Sequence, residues 1–339
     1  MAKTRITIVG CGFTGTAIAL ALRTLYKDIE IVGHDKNGAN TQRAEKLKAI
    51  DRSNWNLPSA CENAQLIVLA IPAEAIAPTL RAIAPDVLPG AIVTDTCSYK
   101  SSISAMVSRH LPEKASYISS DIIFDPMRVP PGQKVEDLTA DVFKGASWVV
   151  TPIVASPDAV DSFAGLVNAT GAKPIFMDAI EHDGLRLAVD SIPSALSAAL
   201  MLAITSDTAW RERQWLAGAA FQAATANVTF HEADEVAAAL IAQGEASTHW
   251  LNQVMLQLME LRDAIDQGRR DKVTTLLTQA RERHDLWEAD WHTGRDQGYT
   301  PVEVKRPSML GMLVGTRLAS RLDEKPGKPD QSDKGGKKR

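Results

Sequence analysis

Through the first 180 residues, short runs of consecutive aliphatic residues alternate with stretches in which apolar positions recur every three or four residues. The runs at 6–9, 29–32, 66–71, 91–94, 117–123, 146–150 and 173–177 have strand length and little polar alternation, the pattern of parallel strands covered on both faces. Between them, 16–25, 38–50, 74–84, 101–109 and 157–170 carry helical periodicity. Pro72 has no amide hydrogen for a sheet ladder, so it ends the run at 66–71 and marks that strand's carboxyl edge. Strand and helix in alternation predict an α/β fold, a Rossmann-type doubly wound parallel sheet over residues 1–178.

From 179 onward the strand signal vanishes. Alanine- and leucine-rich stretches at 183–204, 210–225, 232–268 and 270–292 predict an all-α domain over 179–300, its first helix interrupted at Pro193. Trp250, Leu251, Met255 and Leu258 form an apolar stripe that is read either as internal core or as a dimer seam. Residues 301–339 form a C-terminal extension. From about 322 it is rich in charge, Pro and Gly and poor in hydrophobes, the composition of a disordered tail.

The first strand runs directly into Gly10-Cys11-Gly12-Phe13-Thr14-Gly15, and a helix follows. The second strand then delivers Asp35, about 20 residues beyond the last glycine, with Lys36 beside it. This is the full context of a dinucleotide site. Gly10 allows the tight turn, Gly12 lets backbone approach a pyrophosphate, and Gly15 lets the helix pack closely. Amides at the helix start face the phosphates. Asp35 accepts ribose hydroxyls and repels a 2′-phosphate, which favours NAD, while Lys36 keeps NADP open. Ile71 and Pro72, at a carboxyl strand edge, and Asp95, at the end of the run at 91–94, complete the cofactor candidates.

Composition narrows the classes. The 339 residues are 45% hydrophobic and 23% charged, with a net charge of −4, as in a soluble globular protein. No basic footprint for nucleic acid is present. No uncharged apolar run reaches the length of a membrane span, and a strand begins almost at Met1, so no signal peptide or membrane is expected. Cys11, Cys61 and Cys97 lack metal or disulfide spacing and suit a reducing cytoplasm. The histidines other than His182 show no metal or triad spacing either.

Four places resemble the prephenate/arogenate dehydrogenase family, over most of residues 5–295: the glycine loop with Asp35; Asp95-Thr-Cys-Ser-Tyr-Lys100, similar to the family's D-x-G-S-x-K; Asp125-Pro-Met127, where the family has His-Pro-Met; and Glu181-His-Asp183 with Asp190-Ser-Ile-Pro-Ser194, where the family reads H-D and then S-H-L-P-H. The resemblance implies NAD-dependent removal of a hydride from a cyclohexadienyl ring carbinol, with loss of carbon dioxide, in a homodimer joined through the helical domain. It also implies catalytic roles for Ser98, Asp125 and His182. Ser98 is equally well read as a helix N-cap, and Lys100 as a support for its loop or a solvated charge.

The departures fall at the chemistry. Asp125 replaces a histidine, and a carboxylate is a weak base unless burial raises its pKa. Ser191 and Ser194 replace two more. The family's arginine-bearing segment corresponds to Phe221-Gln-Ala-Ala-Thr-Ala226, which has none. Losing a bidentate arginine opposite a buried carboxylate argues against prephenate itself. Arg128, next to Asp125-Pro-Met127, is a replacement candidate for the substrate carboxylate, and Asp190, one turn from Arg186, a second substrate-side residue. Two functions fit: an NAD(P)-dependent oxidoreductase acting on a small hydroxyl-bearing molecule, or a nucleotide-binding sensor or partner subunit that has lost catalysis. A hydroxy-acid reductase that needs a lysine on the interdomain helix is disfavoured, because 181–204 contains none.

Overall fold

The computed structural model describes residues 3–130, 132–230 and 232–292. The first half runs β1 (Thr4–Val9), α1 (Phe13–Leu25), β2 (Ile29–His34), α2 (Gly38–Lys46), β3 (Arg52–Ser53), α3 (Leu57–Cys61), β4 (Ala64–Leu69), α4 (Ala73–Ile83), β5 (Ile92–Asp95), α5 (Ser101–His110), β6 (Ser116–Ile123), β7 (Ser147–Val154), α6 (Pro157–Thr170) and β8 (Lys173–Phe176). These strands form one sheet in the order β3-β2-β1-β4-β5-β6-β7-β8. The chain steps outward from β1 in one direction, then reverses to β4, which creates a crevice at the carboxyl ends of β1 and β4.

The doubly wound, mostly parallel sheet is as expected, with one exception at β7. It pairs with β6 antiparallel, and β8 then pairs parallel to β7. A parallel return needs a crossover, usually a helix. The segment from 124 to 146 supplies only 3₁₀ turns at Val135–Asp137 and Ala140–Phe143, so the chain turns back as a hairpin. Pro152 is tolerated inside this sheet because it sits opposite the register shift between Tyr117 and Ile118. The helix expected over 38–50 stops at Lys46, where Lys48 (φ 56°) turns the chain away. The two-residue β3 and five-residue α3 are too short to leave a periodic signal.

Apolar side chains bury on both faces of the sheet. Ile6, Ile8, Leu22, Trp148 and Phe163 fill the α1/α6 side, and Ile67, Leu69, Leu80, Val107 and Tyr117 the α4/α5 side. A file of rings, Phe13–Phe124–Phe143–Trp148 with centroids 5.2–5.7 Å apart, fastens the start of α1 to the segment that follows β6. Offset and edge-on ring pairs of this kind add to simple burial.

The second half is helical throughout: α7 (Ala179–Arg186), a π turn (Leu187–Ser191), α8 (Ile192–Thr205), α9 (Trp210–Arg213), α10 (Ala219–Thr225), α11 (Ala233–Ala242), α12 (Gly244–Asp266) and α13 (Arg270–His292). Pro193 does interrupt its helix. The ladder widens into the π turn just upstream of the proline, which lacks an N–H and crowds the preceding turn. Two expected long helices are each broken, one before Gly218 and one at Gln243. Ala179–Thr205 is long and apolar enough, by length and composition alone, to cross a membrane. Its first half, however, is ion-paired to the sheet through His182 and Arg186. Trp250, Met255 and Leu258 are exposed, which removes the core reading of that stripe within one chain. Residues 301–339, with the tail expected from 322, and the side chains of His231 and His292 lie outside the described residues.

Candidate active site

The glycine loop separates three steric demands. Gly10 has φ +92°, and a Cβ there would lie 2.1 Å from the Ala70 carbonyl oxygen. At Gly15 a Cβ would lie 1.9 Å from the Gly10 oxygen. Neither position admits any other residue without moving backbone. At Gly12 a Cβ would meet nothing within 4 Å. The space over Gly12 is open, and Gly12 is also the N-cap of α1. It caps without a side chain, and no acid occupies the first turn. The leading amides of α1 are therefore available to an anion, beside open space over Gly12.

Asp35 is fastened to this loop. Its Oδ2 accepts the Cys11 amide at 2.8 Å and the Asn40 side chain at 3.1 Å, and its Oδ1 accepts the Asn37 amide at 2.7 Å. The carboxylate thus stands at the loop's rim with Lys36 exposed beside it. Arg43, the next cation along, is paired with Glu136 at 2.7 Å. The Cys11 thiol points inward, and burial, aided by the Asp35 charge, pushes its pKa up to about 12. Only the Cys11 backbone serves the site.

Ile71 and Pro72 bridge the two crevice walls. A Cβ on Gly10 would touch Ile71 Cγ2 at 3.0 Å, Pro72 caps α4, and the Ile71 carbonyl accepts the Cys97 thiol at 3.6 Å. Asp95 requires a correction. It is 0% exposed, with Oδ1 accepting the Cys97 amide (2.9 Å) and the Lys100 ammonium (3.4 Å), so it lies beneath the loop and cannot reach a cofactor. Lys100 is equally buried, and its ammonium also donates to the Cys97 and Ser120 carbonyls. The solvated reading of Lys100 is thereby excluded. Ser98 is half-buried on the loop above and is not the N-cap of α5.

A charge cluster joins this loop to the helical domain. His182 Nε2 lies 3.2 Å from Asp121 Oδ2, and its Nδ1 3.2 Å from Asp183 Oδ1. Arg186 Nε sits 3.2 Å from the same Asp121 oxygen, paired as ions though not aligned as a hydrogen bond. Its other end lies 3.5 Å from Asp190, as the one-turn spacing anticipates. Burial opposes charge on Asp121, but Arg186 and the His182 hydrogen bond hold its carboxyl below the usual range. Burial also pulls His182 down. The hydrogen bonds to both carboxylates outweigh it and leave its pKa raised. Tyr99, on the loop, hydrogen-bonds Ser191 of the π turn. Burial raises the Tyr99 phenol above its ordinary value.

Asp121 and Tyr99 escape a reading of the sequence. The signal for Asp121 is a lone carboxylate inside a strand that is otherwise buried, which requires a partner. Asp125 opens the turn after β6. Its Oδ1 accepts the Met127 amide at 2.9 Å, and its Oδ2 lies 3.7 Å from Arg128 Nε. Arg128 is half exposed. Ser194 donates to the Asp190 carbonyl, and Ser197 ties α8 to Ala224 in the 221–226 segment. Among the described residues no group of three His, Cys, Asp or Glu is placed to hold a metal.

With this geometry in place, comparisons with known proteins are specific. Residues 18–176 match the family model of the prephenate dehydrogenase nucleotide-binding domain. The chain is 28% identical over 199 residues to prephenate dehydrogenase of Lactococcus lactis subsp. cremoris, covering 58% of this chain and 53% of that one. It is 24% identical over 197 residues to cyclohexadienyl dehydrogenase of Zymomonas mobilis, covering 58% and 66%. The chain thus matches about half the length of the first of these relatives. The structure of Aquifex aeolicus prephenate dehydrogenase with hydroxyphenyl propionate and NAD+ superposes with a TM-score of 0.70 at 17% identity, over 84% of this chain and 99% of that one. Synechocystis arogenate dehydrogenase gives 0.65 at 22%, over 84% and 100%. At these identities the superpositions establish the fold, including the helical half.

Proposed function

We propose, from the premise that this chain belongs through its nucleotide-binding domain to the prephenate/arogenate dehydrogenase family, that it is an NAD-dependent dehydrogenase oxidising the ring carbinol of a carboxylated cyclohexadienyl substrate. The observation that carries the reading is the cradle over Gly12, open where Gly10 and Gly15 are closed. The leading amides of α1 (Phe13, Thr14 and Gly15) would hold the pyrophosphate. Asp35 would take the ribose, and Ile71-Pro72 would flank the crevice. Bound there, NAD supplies the hydride acceptor. The chain's own residues position the carbinol and handle its proton. Ser98 hydrogen-bonds the hydroxyl from the β5–α5 loop, Asp125 receives its proton, and Arg128 and Asp190 flank the rest of the substrate. NAD is favoured over NADP because Asp35 stands at the rim and Arg43 is engaged by Glu136. Prephenate itself is disfavoured, since residues 221–226 hold no arginine to pair a substrate carboxylate.

The enzyme acts in the cytoplasm, a setting that three buried free cysteines suit. A second copy of the chain covers the helical domain, where Leu202, Ile241, Met255 and Leu258 stand exposed. Sedimentation showing only monomer would remove the dimer. The function is tested by titrating NAD+ and NADP+ calorimetrically, then following reduced-cofactor absorbance with arogenate and prephenate. Nucleotide binding with turnover is expected. Binding without turnover on any cyclohexadienyl substrate would favour the sensor reading, and no binding would defeat both.

A further inference from the structure

Helix α5 begins at the crevice, yet its own N-cap residue, Lys100, provides no side-chain cap. The cap comes from the other domain. Asp183 of α7 accepts the Lys100 amide at 2.7 Å and the Ser101 amide at 2.9 Å through separate oxygens, 83 and 82 residues away in sequence. Free amides at a helix start attract a carboxylate, and a bidentate one fixes direction as well as distance. Asp183 is held in turn by His182, whose far nitrogen reaches Asp121 on β6. Asp121 lies two residues beyond the last β5–β6 pair, so it projects past β5 toward the loop at 96–100. From below, the Lys100 ammonium grips the Cys97 and Ser120 carbonyls.

An imidazole can donate from both nitrogens only as the cation. Two flanking carboxylates favour that form, and it has no lone pair with which to accept a substrate proton. We infer that His182 is a positioning residue: bridging Asp121 and Asp183, it fixes the cap on α5 and thereby the placement of Ser98 and Tyr99 at the crevice. The inference rests on the proposed function only where it says what that placement serves. The charged groups facing His182 are Asp121 from β6, Lys100 from the loop, and Asp183 and Arg186 from its own helix, with Asp190 beyond Arg186. Arg186 and Lys100 also balance Asp121, so removing the imidazolium loosens Asp183 more than it loosens β6. Tyr99 to Ser191 forms a parallel strap across the same junction.

The test uses the full chain and amide hydrogen exchange by mass spectrometry, without nucleotide. His182→Gln should raise exchange in peptides covering 98–104 about tenfold relative to β1 and α12. Wild type should lose protection there, after correction for intrinsic rates, as pH rises above the ordinary imidazole value of 6.5, and the variant should lack that step. With NAD+ and arogenate as probes, kcat should fall about tenfold while KM for NAD+ stays within twofold. Exchange unchanged at 98–104, or kcat unchanged, would overturn the inference. If His182→Gln loosens the whole chain, Asp183→Asn and Asp183→Ala decide. The Asn variant keeps one acceptor oxygen and should fall between wild type and Ala, and equal exchange in the two would overturn the inference. Wild type without turnover would count against the proposed function alone, because the exchange measurements stand without it.

Discussion

Replacing Gly12 by alanine places one methyl group in the open cradle and nowhere else. The backbone there, φ −73° and ψ −158°, is extended and available to alanine. Apart from its own chain neighbours, no protein atom lies within 4 Å of the new carbon. Folding should therefore lose no more than about 1 kcal/mol, the scale of an N-cap change. Binding is another matter. A pyrophosphate kept from the α1 amides by a methyl loses at least one charge-assisted hydrogen bond, worth about 1.5–3 kcal/mol. That corresponds to a Kd for NAD+ weakened by about tenfold to about 150-fold. Gly10→Ala is the contrasting control. There a positive φ costs about 1–2 kcal/mol, and a carbon 2.1 Å from Ala70 oxygen adds overpacking of about 1–3 kcal/mol, so the melting temperature itself should drop. Calorimetric titration with NAD+ and thermal unfolding of both variants read the two effects apart. Gly12→Ala binding NAD+ within twofold of wild type would refute a pyrophosphate over Gly12.

Three further outcomes are expected. Asp35→Ala should weaken NAD+ binding about tenfold, the loss of one or two hydrogen bonds to a charged acceptor, and narrow the gap to NADP+; a wild type that already prefers NADP+ would contradict the assignment of Asp35. Arg128→Ala should raise the substrate KM about tenfold, again the scale of one charged hydrogen bond, at an unchanged melting temperature, because its side chain is 52% exposed; an unchanged KM would remove Arg128 from the site. The cluster around His182 should give a stability plateau. Asp121 and Asp183 have lowered values, so their contribution is present above the ordinary carboxylate value of 3.8 and is lost as pH falls through their folded values. His182 has a raised value, so its contribution is complete below 6.5 and is lost as pH rises through its folded value. Melting temperatures across pH should peak between those limits, and Asp121→Asn should blunt the acid limb.

The glycine loop was legible because three separate steric reasons crowd into six residues, and each leaves its own glycine. The position of Asp35 against the loop was legible because its distance from the loop is set by one helix and one strand. Asp95 was misread for a physical reason. A carboxylate at a strand end can face the crevice or turn beneath it, and what turned it was a lysine five residues on whose burial no pattern announces. The cap on α5 comes from a residue 83 positions away, beyond any local periodicity. The antiparallel return at β7 was hidden because a buried strand has the same composition in either direction.

That return shapes what this crevice can become. Since β6 and β7 form a hairpin, the described residues between 124 and 146, with Asp125 and Arg128 at the start, leave from the same edge of the sheet as the glycine loop. A crossover would have carried the chain to the far edge. The segment is anchored near its two feet by the Phe124–Phe143 ring pair, and along its span by Leu138 and Val142, which are buried in the α1/α6 core, and by the Glu136–Arg43 ion pair. Its exposed positions can change while every strand keeps its register, whereas a change at Leu138, Val142 or Phe143 would reach the core beneath the glycine loop through the Phe13–Phe124–Phe143 rings.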